Sequence, residues 1–194
     1  MFEKDISKDA LNNLPLKRYQ GKIVVVTDIN KVAGAVEEIN QQKVIGFDTE
    51  RRPSFNKGEF HEISLLQIAI PEKVFLFRLK YTGFTKLLTS VFSNPRIKKV
   101  GIGIRDDLIF LKQITPFEPH STVDLNELAD ELEIKSRGAR KLTALILGYR
   151  ISKNHQISNW DLPKLSDGQL NYAAHDAFLC LAIYQKLDYW GYIK

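Results

Sequence analysis

Val44-Ile45-Gly46-Phe47-Asp48-Thr49-Glu50 reads as a strand that crosses the interior and ends in two acids. Val44 to Asp48 is a short apolar run of the kind a sheet buries. On a strand, residues i and i+2 share a face, so Asp48 and Glu50 project together. Two carboxylates placed side by side repel unless a cation lies between them, and hard divalent cations take oxygen ligands of this sort. The plainer alternative is a strand end opening into solvent, with Arg51 and Arg52 neutralising the acids.

Elements on either side of this run extend the pattern. Ile23 to Val26 is a β-branched strand. Asp28 to Gln42 carries Val32, Ala33, Val36 and Ile39 at helical spacing, with Asp28 or Asn30 as the cap. Ile63–Ile70 and Val74–Leu79 are strands joined by Pro71-Glu72-Lys73, a link short enough for an antiparallel hairpin. A helix over Phe84–Phe92 is closed by Asn94-Pro95. Then come a strand over Lys98–Ile104, a helix over Asp106–Ile114, and a short strand at Thr122–Leu125 that feeds a helix to Leu132. Lys141–Leu147 is helical up to Gly148, and Asp167–Leu187 is the longest helical pattern. This order predicts an α/β fold, a mixed sheet with helices on both faces. We read residues 1–20 as an N-terminal arm and 21–194 as one domain.

Composition sets outer limits. With 194 residues, the chain can bury roughly 70% of its unfolded surface and needs no disulfide or metal staple. Its 44% apolar and 26% charged residues exclude a disordered tail or a collagen-like repeat. Cys180 is the single cysteine, which excludes an internal disulfide and a Cys-rich zinc site. It points to a reducing, intracellular setting, taken as cytoplasmic, and we read it as a core residue. The charged start, Met1-Phe2-Glu3-Lys4-Asp5, is not a secretory signal, and no apolar run approaches the ~20 residues of a membrane span. His61, His120, His155 and His175 are too scattered for a zinc motif. A net charge of 28 − 23 = +5 allows a nucleic-acid partner without requiring one.

Two further stretches carry acids. In Tyr172-Ala173-Ala174-His175-Asp176 the tyrosine and aspartate are i and i+4, one turn apart on one helix face. The two alanines let the helix approach a neighbour closely. A phenol beside a carboxylate can orient a water; the alternative is a buried tyrosine and a surface aspartate. In Lys98-Lys99-Val100-Gly101-Ile102-Gly103-Ile104-Arg105-Asp106-Asp107 an apolar strand runs into a helix with acids at the junction, which is also what ordinary capping would produce. Gly101-x-Gly103 lacks the third glycine of a dinucleotide fingerprint.

Phe-Asp-Thr-Glu, an Asp after a Gly-containing strand, and Tyr-x-x-x-Asp in a late helix stand in the order of the DEDD superfamily of 3′–5′ exonucleases. The chain resembles the branch of ribonuclease D and the Werner-syndrome-type exonuclease domain from about Val24 to Leu187. Ser64-Leu65-Leu66-Gln67-Ile68-Ala69, Val74-Phe75-Leu76-Phe77, Val123-Asp124-Leu125, Lys141-Leu142 and Ser158-Asn159-Trp160 extend the resemblance. A sister branch has histidine five residues before the last Asp; here that position is Asn171, so the tyrosine subtype is implied.

The resemblance implies a ribonuclease H-like fold, a mixed five-stranded sheet flanked by helices, with the Ile23–Val26 strand as an addition. It implies hydrolysis of DNA or RNA from the 3′ end to nucleoside 5′-monophosphates, with two divalent cations, Mg²⁺ or Mn²⁺. Asp48, Glu50, Asp107 and Asp176 match the metal-ligating acids, with Asp106 as the alternative to Asp107, and Tyr172 matches the catalytic tyrosine. Leu65 and Leu66 lie where the family brings apolar side chains near the terminal base, although neighbours on a strand must face opposite ways. Lys57, Lys98, Lys99, Arg137, Arg140, Lys141 and Lys153 are candidates for phosphate contacts, and the densest basic spot, Arg137–Lys141, reads as a loop ahead of a helix. Trp160 and Trp190 read as packing residues. The expected partner is a nucleic-acid 3′ end and not a membrane, with a protein partner left open. The competing readings are a nucleic-acid-binding scaffold without activity and a proofreading subunit of a polymerase.

Overall fold

The computed structural model describes residues 3–56 and 58–193; Lys57 lies outside them. In chain order the elements are α1 (Lys8–Asn13), β1 (Lys22–Val26), α2 (Val32–Asn40), β2 (Val44–Arg51), β3 (Ile63–Ile70) and β4 (Lys73–Arg78). There follow α3 (Leu79–Thr82), α4 (Lys86–Ser93), β5 (Lys98–Gly101), α5 (Arg105–Ile114), β6 (Thr122–Asp124), α6 (Leu125–Glu131), α7 (Gly138–Leu147) and α8 (Asp167–Tyr189). The six strands form one sheet in the order β1-β4-β3-β2-β5-β6. β2, β3 and β4 are antiparallel, while β1, β5 and β6 add parallel pairings, so the sheet is mixed. The added strand, β1, takes one edge, beside β4.

Both faces are covered. On one face Val36 and Ile39 of α2, Leu88 and Phe92 of α4 and Leu111 of α5 pack on Phe47, Leu66, Ile68 and Phe75. On the other, Ala173, Ala177 and Leu181 of α8 pack on Leu65, Ala69 and Leu76, and α6 and α7 close against the far half of α8. Every residue of β3 is buried, because a central strand covered on both sides has no solvent face. Trp160 is fully buried in the α8 layer, as a packing residue should be. Among the described residues no helix is long and apolar enough to cross a membrane.

Local chemistry explains the departures from the sequence reading. The strand expected over Lys98–Ile104 ends at Gly101. Gly103 takes φ 70°, and the Asp124 carboxylate accepts hydrogen bonds from the Gly103 and Ile104 amides at 2.9 and 3.0 Å, which turns the chain into α5. Arg137–Lys141 is not a free loop: α7 begins at Gly138, whose amide donates to Asn126 Oδ1 at 2.9 Å. The arm contains an unexpected helix, α1, capped by the Ser7 side chain and held by the buried Leu11. α8 starts with a capping box between Ser166 and Gln169, which fixes where its later residues fall.

Candidate active site

α8 runs directly across β2, and Gly46 makes the approach possible. A Cβ added at Gly46 would lie 2.2 Å from the Ala177 carbonyl oxygen and 2.8 Å from the Leu181 nitrogen, so only glycine fits. Ala173, Ala174 and Ala177, all fully buried, present the matching smooth face. Gly46, Asp48 and Glu50 share one side of β2 by the two-residue period. The seating of α8 therefore brings Asp176 to the end of that row. Oxygens of Asp48, Glu50 and Asp176 lie within 4.8 Å of one another. Tyr172, one turn earlier, directs its hydroxyl hydrogen bond to the Asp176 carboxylate.

Asp107 stands next to this triad rather than inside it. It sits in the first turn of α5, half-buried, and accepts a short hydrogen bond from the Thr49 hydroxyl. Its charge is felt at Asp48 and Glu50. Asp106 is exposed, so Asp107 is the acid of the pair that faces the cluster. Asp124 fixes the turn that starts α5 and thereby the position of Asp107. Local periodicity gives no sign that Thr49 or Asp124 helps to build the site. Gly46, a glycine inside an apolar strand, does carry a sequence signal of close approach.

The acids disturb one another strongly. Burial, then the charges of Asp107 and Asp176, push the Asp48 carboxyl well above the usual range. Burial and the neighbouring acids push Glu50 up to about 10. Burial pushes Asp176 up to about 7, against the Tyr172 hydrogen bond and the nearby charge of Lys153. Burial, reinforced by Asp176 and Glu50, also raises Tyr172 and keeps it a phenol. His175, beside Asp176 in sequence, is buried, stacked on Tyr149 and pushed down to about 4 by burial, so it is a neutral packing group. Cys180 is buried, and its thiol donates to the Asp176 carbonyl at 3.3 Å.

Three convergent carboxylates with no soft donor fit a hard divalent cation. The raised acids give that fit a testable sign. Their folded values lie above the ordinary carboxylate range near 4, so the metal-free fold binds protons that the unfolded chain does not. The stability these groups contribute is greatest below about pH 4 and is lost as pH rises through 7 and toward 10. A cation needs these groups deprotonated and competes better at high pH. Saturating Mn²⁺, at about 100 times its Kd, should raise Tm by about 5–10 °C at pH 8. The rise should be much smaller at pH 5.5 in thermal unfolding, and an equal rise at both would contradict the cluster as the ligand set.

The triad opens into a cavity of about 720 Å³ lined by Tyr172, Arg137, Arg140, Lys141, Lys153 and Gln156, among others. A second cavity, about 410 Å³, meets the first at Tyr172 and Asp176 and is lined by Lys17, Arg18 and His155. Of the residues expected to touch substrate, Arg140, Lys141, Arg137 and Lys153 are therefore at the cleft. Leu65 and Leu66 are not: both are 0% exposed, because they point into the two opposite layers that cover β3. Lys99 is also fully buried, its ammonium donating to the Asn94 and Ile97 carbonyls, and burial lowers it to about 8. Lys98 pairs with the Tyr184 hydroxyl and lines a different cavity.

Comparison with known proteins identifies the family and the fold. A family model described as 3′–5′ exonuclease matches residues 23–189. The mouse (Mus musculus) bifunctional 3′–5′ exonuclease/ATP-dependent helicase WRN is 31% identical over 198 residues, covering 96% of this chain and 14% of the relative. The human (Homo sapiens) exonuclease mut-7 homolog is 30% identical over 209 residues, covering 93% and 24%. The chain thus spans less than a quarter of the length of either relative. The crystal structure of the Aedes aegypti Nibbler EXO domain superposes with a TM-score of 0.78 at 23% identity, covering 89% of this chain and 93% of that one, which shows the shared fold. The match over residues 23–189 settles the family: this chain belongs to the 3′–5′ exonucleases, hydrolases of nucleic acid.

Proposed function

We propose that this chain removes nucleotides one at a time from the 3′ end of DNA or RNA, releasing nucleoside 5′-monophosphates. The observation that carries the reading is the convergence of Asp48, Glu50 and Asp176 at the wall of a basic-rimmed cavity, with Tyr172 one helical turn from Asp176. Asp48, Glu50 and Asp176, with Asp107 beside them, would hold two divalent cations, Mg²⁺ or Mn²⁺. When bound, such cations supply Lewis-acid chemistry that activates water and stabilises the leaving 3′ oxygen.

The remaining work falls to the chain itself. Tyr172, kept as a phenol, hydrogen-bonds and orients the attacking water. Lys153, Arg140 and Lys141 bring positive charge to the phosphate-bearing strand. The apolar walls of the cavity take sugar and base. No side chain needs to become a covalent nucleophile. The single cysteine, buried at Cys180, supports a reducing intracellular setting, taken as cytoplasmic.

Chromatography of the products from single-stranded DNA and RNA oligonucleotides with Mg²⁺ tests this. Nucleoside 5′-monophosphates are expected; 3′-monophosphates, or internal fragments alone, would contradict it. Tyr172→Phe should lower kcat about a hundredfold. Its cation affinity, read from the Mn²⁺-induced rise in Tm, should stay near wild type; an unchanged kcat would remove Tyr172 from the mechanism.

A further inference from the structure

The matched family region begins at residue 23, so the arm ahead of it has no assigned part in the reaction. The structure does not leave it as a tail. The Lys135 amide donates to the Lys4 carbonyl at 2.8 Å, and the Ser136 hydroxyl donates to Asp5 at 2.6 Å. Arg140 Nη2 donates to Asn12 Oδ1 at 2.9 Å, and Leu11 is 4% exposed. Beyond α1, Arg150 is bonded on both sides of Leu16, its amide to the Pro15 carbonyl and its carbonyl to the Lys17 amide, each at 3.0 Å. The arm is thus fastened along its length to the segment before α7, to α7 itself and to the residue that follows Tyr149.

These fastenings place Ile6, Lys8 and Leu11 in the wall of the same 720 Å³ cavity that holds Asp48, Glu50, Tyr172 and Asp176. Lys8 is exposed there, with Arg140 and Lys141 of α7 lining the same cavity. Cations beside apolar side chains suit a nucleic-acid strand, whose phosphates repeat along one side and whose sugars and bases lie on the other. Because Asn12 holds Arg140, the arm also sets where that guanidinium stands.

We propose that the arm forms part of the strand-binding track, with Lys8 contacting a backbone phosphate other than the scissile one and Asn12 positioning Arg140 for a second. The inference rests on the exonuclease reading for its substrate class, but its test is separable. Binding of a labelled single-stranded oligonucleotide is measured by anisotropy in chelator, where cleavage is blocked, across a salt series. Lys8→Ala should weaken binding about fivefold and lower the slope of log K against log salt by about 0.7, the loss of one phosphate contact.

Lys8→Arg should restore both, and Lys112→Ala, in the last turn of α5 and outside both cavities, should change neither. In steady state, Lys8→Ala should raise KM with kcat within about twofold of wild type. Wild-type affinity and slope in Lys8→Ala and in Lys8→Glu would overturn the proposal. A wild-type chain that releases no nucleotide from any substrate, while Lys8 still governs the salt slope, would sink the exonuclease reading and leave the binding wall standing.

Discussion

Asp48→Ala is expected to abolish nucleotide release, a loss of at least about a thousandfold, equivalent to about 4 kcal/mol of transition-state stabilisation. Asp48 lies at the centre of the acid cluster: its oxygen is within 4.8 Å of both Glu50 and Asp176, and it feels Asp107 as well. Without it the remaining acids stand around a gap and no longer converge on a cation. The fold should survive, because removing one half-buried acid from a crowd of four relieves repulsion. Asp48→Asn, nearly the same shape, is the sharper form of the test. At pH 8 without metal its Tm should exceed that of wild type, while the metal-induced rise in Tm disappears along with activity. A variant that keeps the metal-induced rise would place the cation elsewhere.

Gly46→Ala should be nearly as damaging, although it removes no functional group. The new methyl would stand 2.2 Å from the Ala177 carbonyl oxygen, well inside contact distance, and the obstacle is backbone that cannot rotate away. α8 must lift from β2, at an overpacking cost of about 1–3 kcal/mol. The same shift carries Tyr172 and Asp176 away from Asp48 and Glu50. Displacement of about 1 Å at a reacting centre can cost a hundredfold in rate. Gly46→Ala should therefore lose about two orders of magnitude in activity together with a lowered Tm, and its metal-induced rise in Tm should shrink. Activity near wild type would mean that the spacing of α8 and β2 does not set the site.

The parts of the site that were legible in sequence are those fixed by local periodicity. Asp48 and Glu50 share a face because a strand repeats every two residues, and Tyr172 and Asp176 share a face because a helix brings i and i+4 together. The strands and the layered α/β plan followed from the same periods. What stayed hidden depends on contacts between distant segments. Leu65 and Leu66 look alike in sequence whether one face of β3 is open or, as here, both are covered. Lys99 reads as a surface cation until the Asn94 and Ile97 carbonyls are found to enclose its ammonium. Arg137 to Lys141 reads as a loop because its helix start depends on Asn126, eleven residues before Arg137. The arm is too short to sustain a period of its own, and only its docking beside α7 shows Leu11 as an anchor and Lys8 as part of the cleft.

The central claim, a cation-dependent exonuclease centred on Asp48, is tested most directly with 5′-labelled oligonucleotides. Single-stranded and recessed duplex DNA and RNA would be incubated with Mg²⁺, with Mn²⁺ and with chelator, for wild type beside Asp48→Ala. The account predicts a ladder that shortens from the 3′ end only when cation and Asp48 are both present, and its intensity across substrates would reveal the preferred nucleic acid. Shortening that persists in chelator or in Asp48→Ala, or strands bound by wild type but left uncut with either cation, would contradict it.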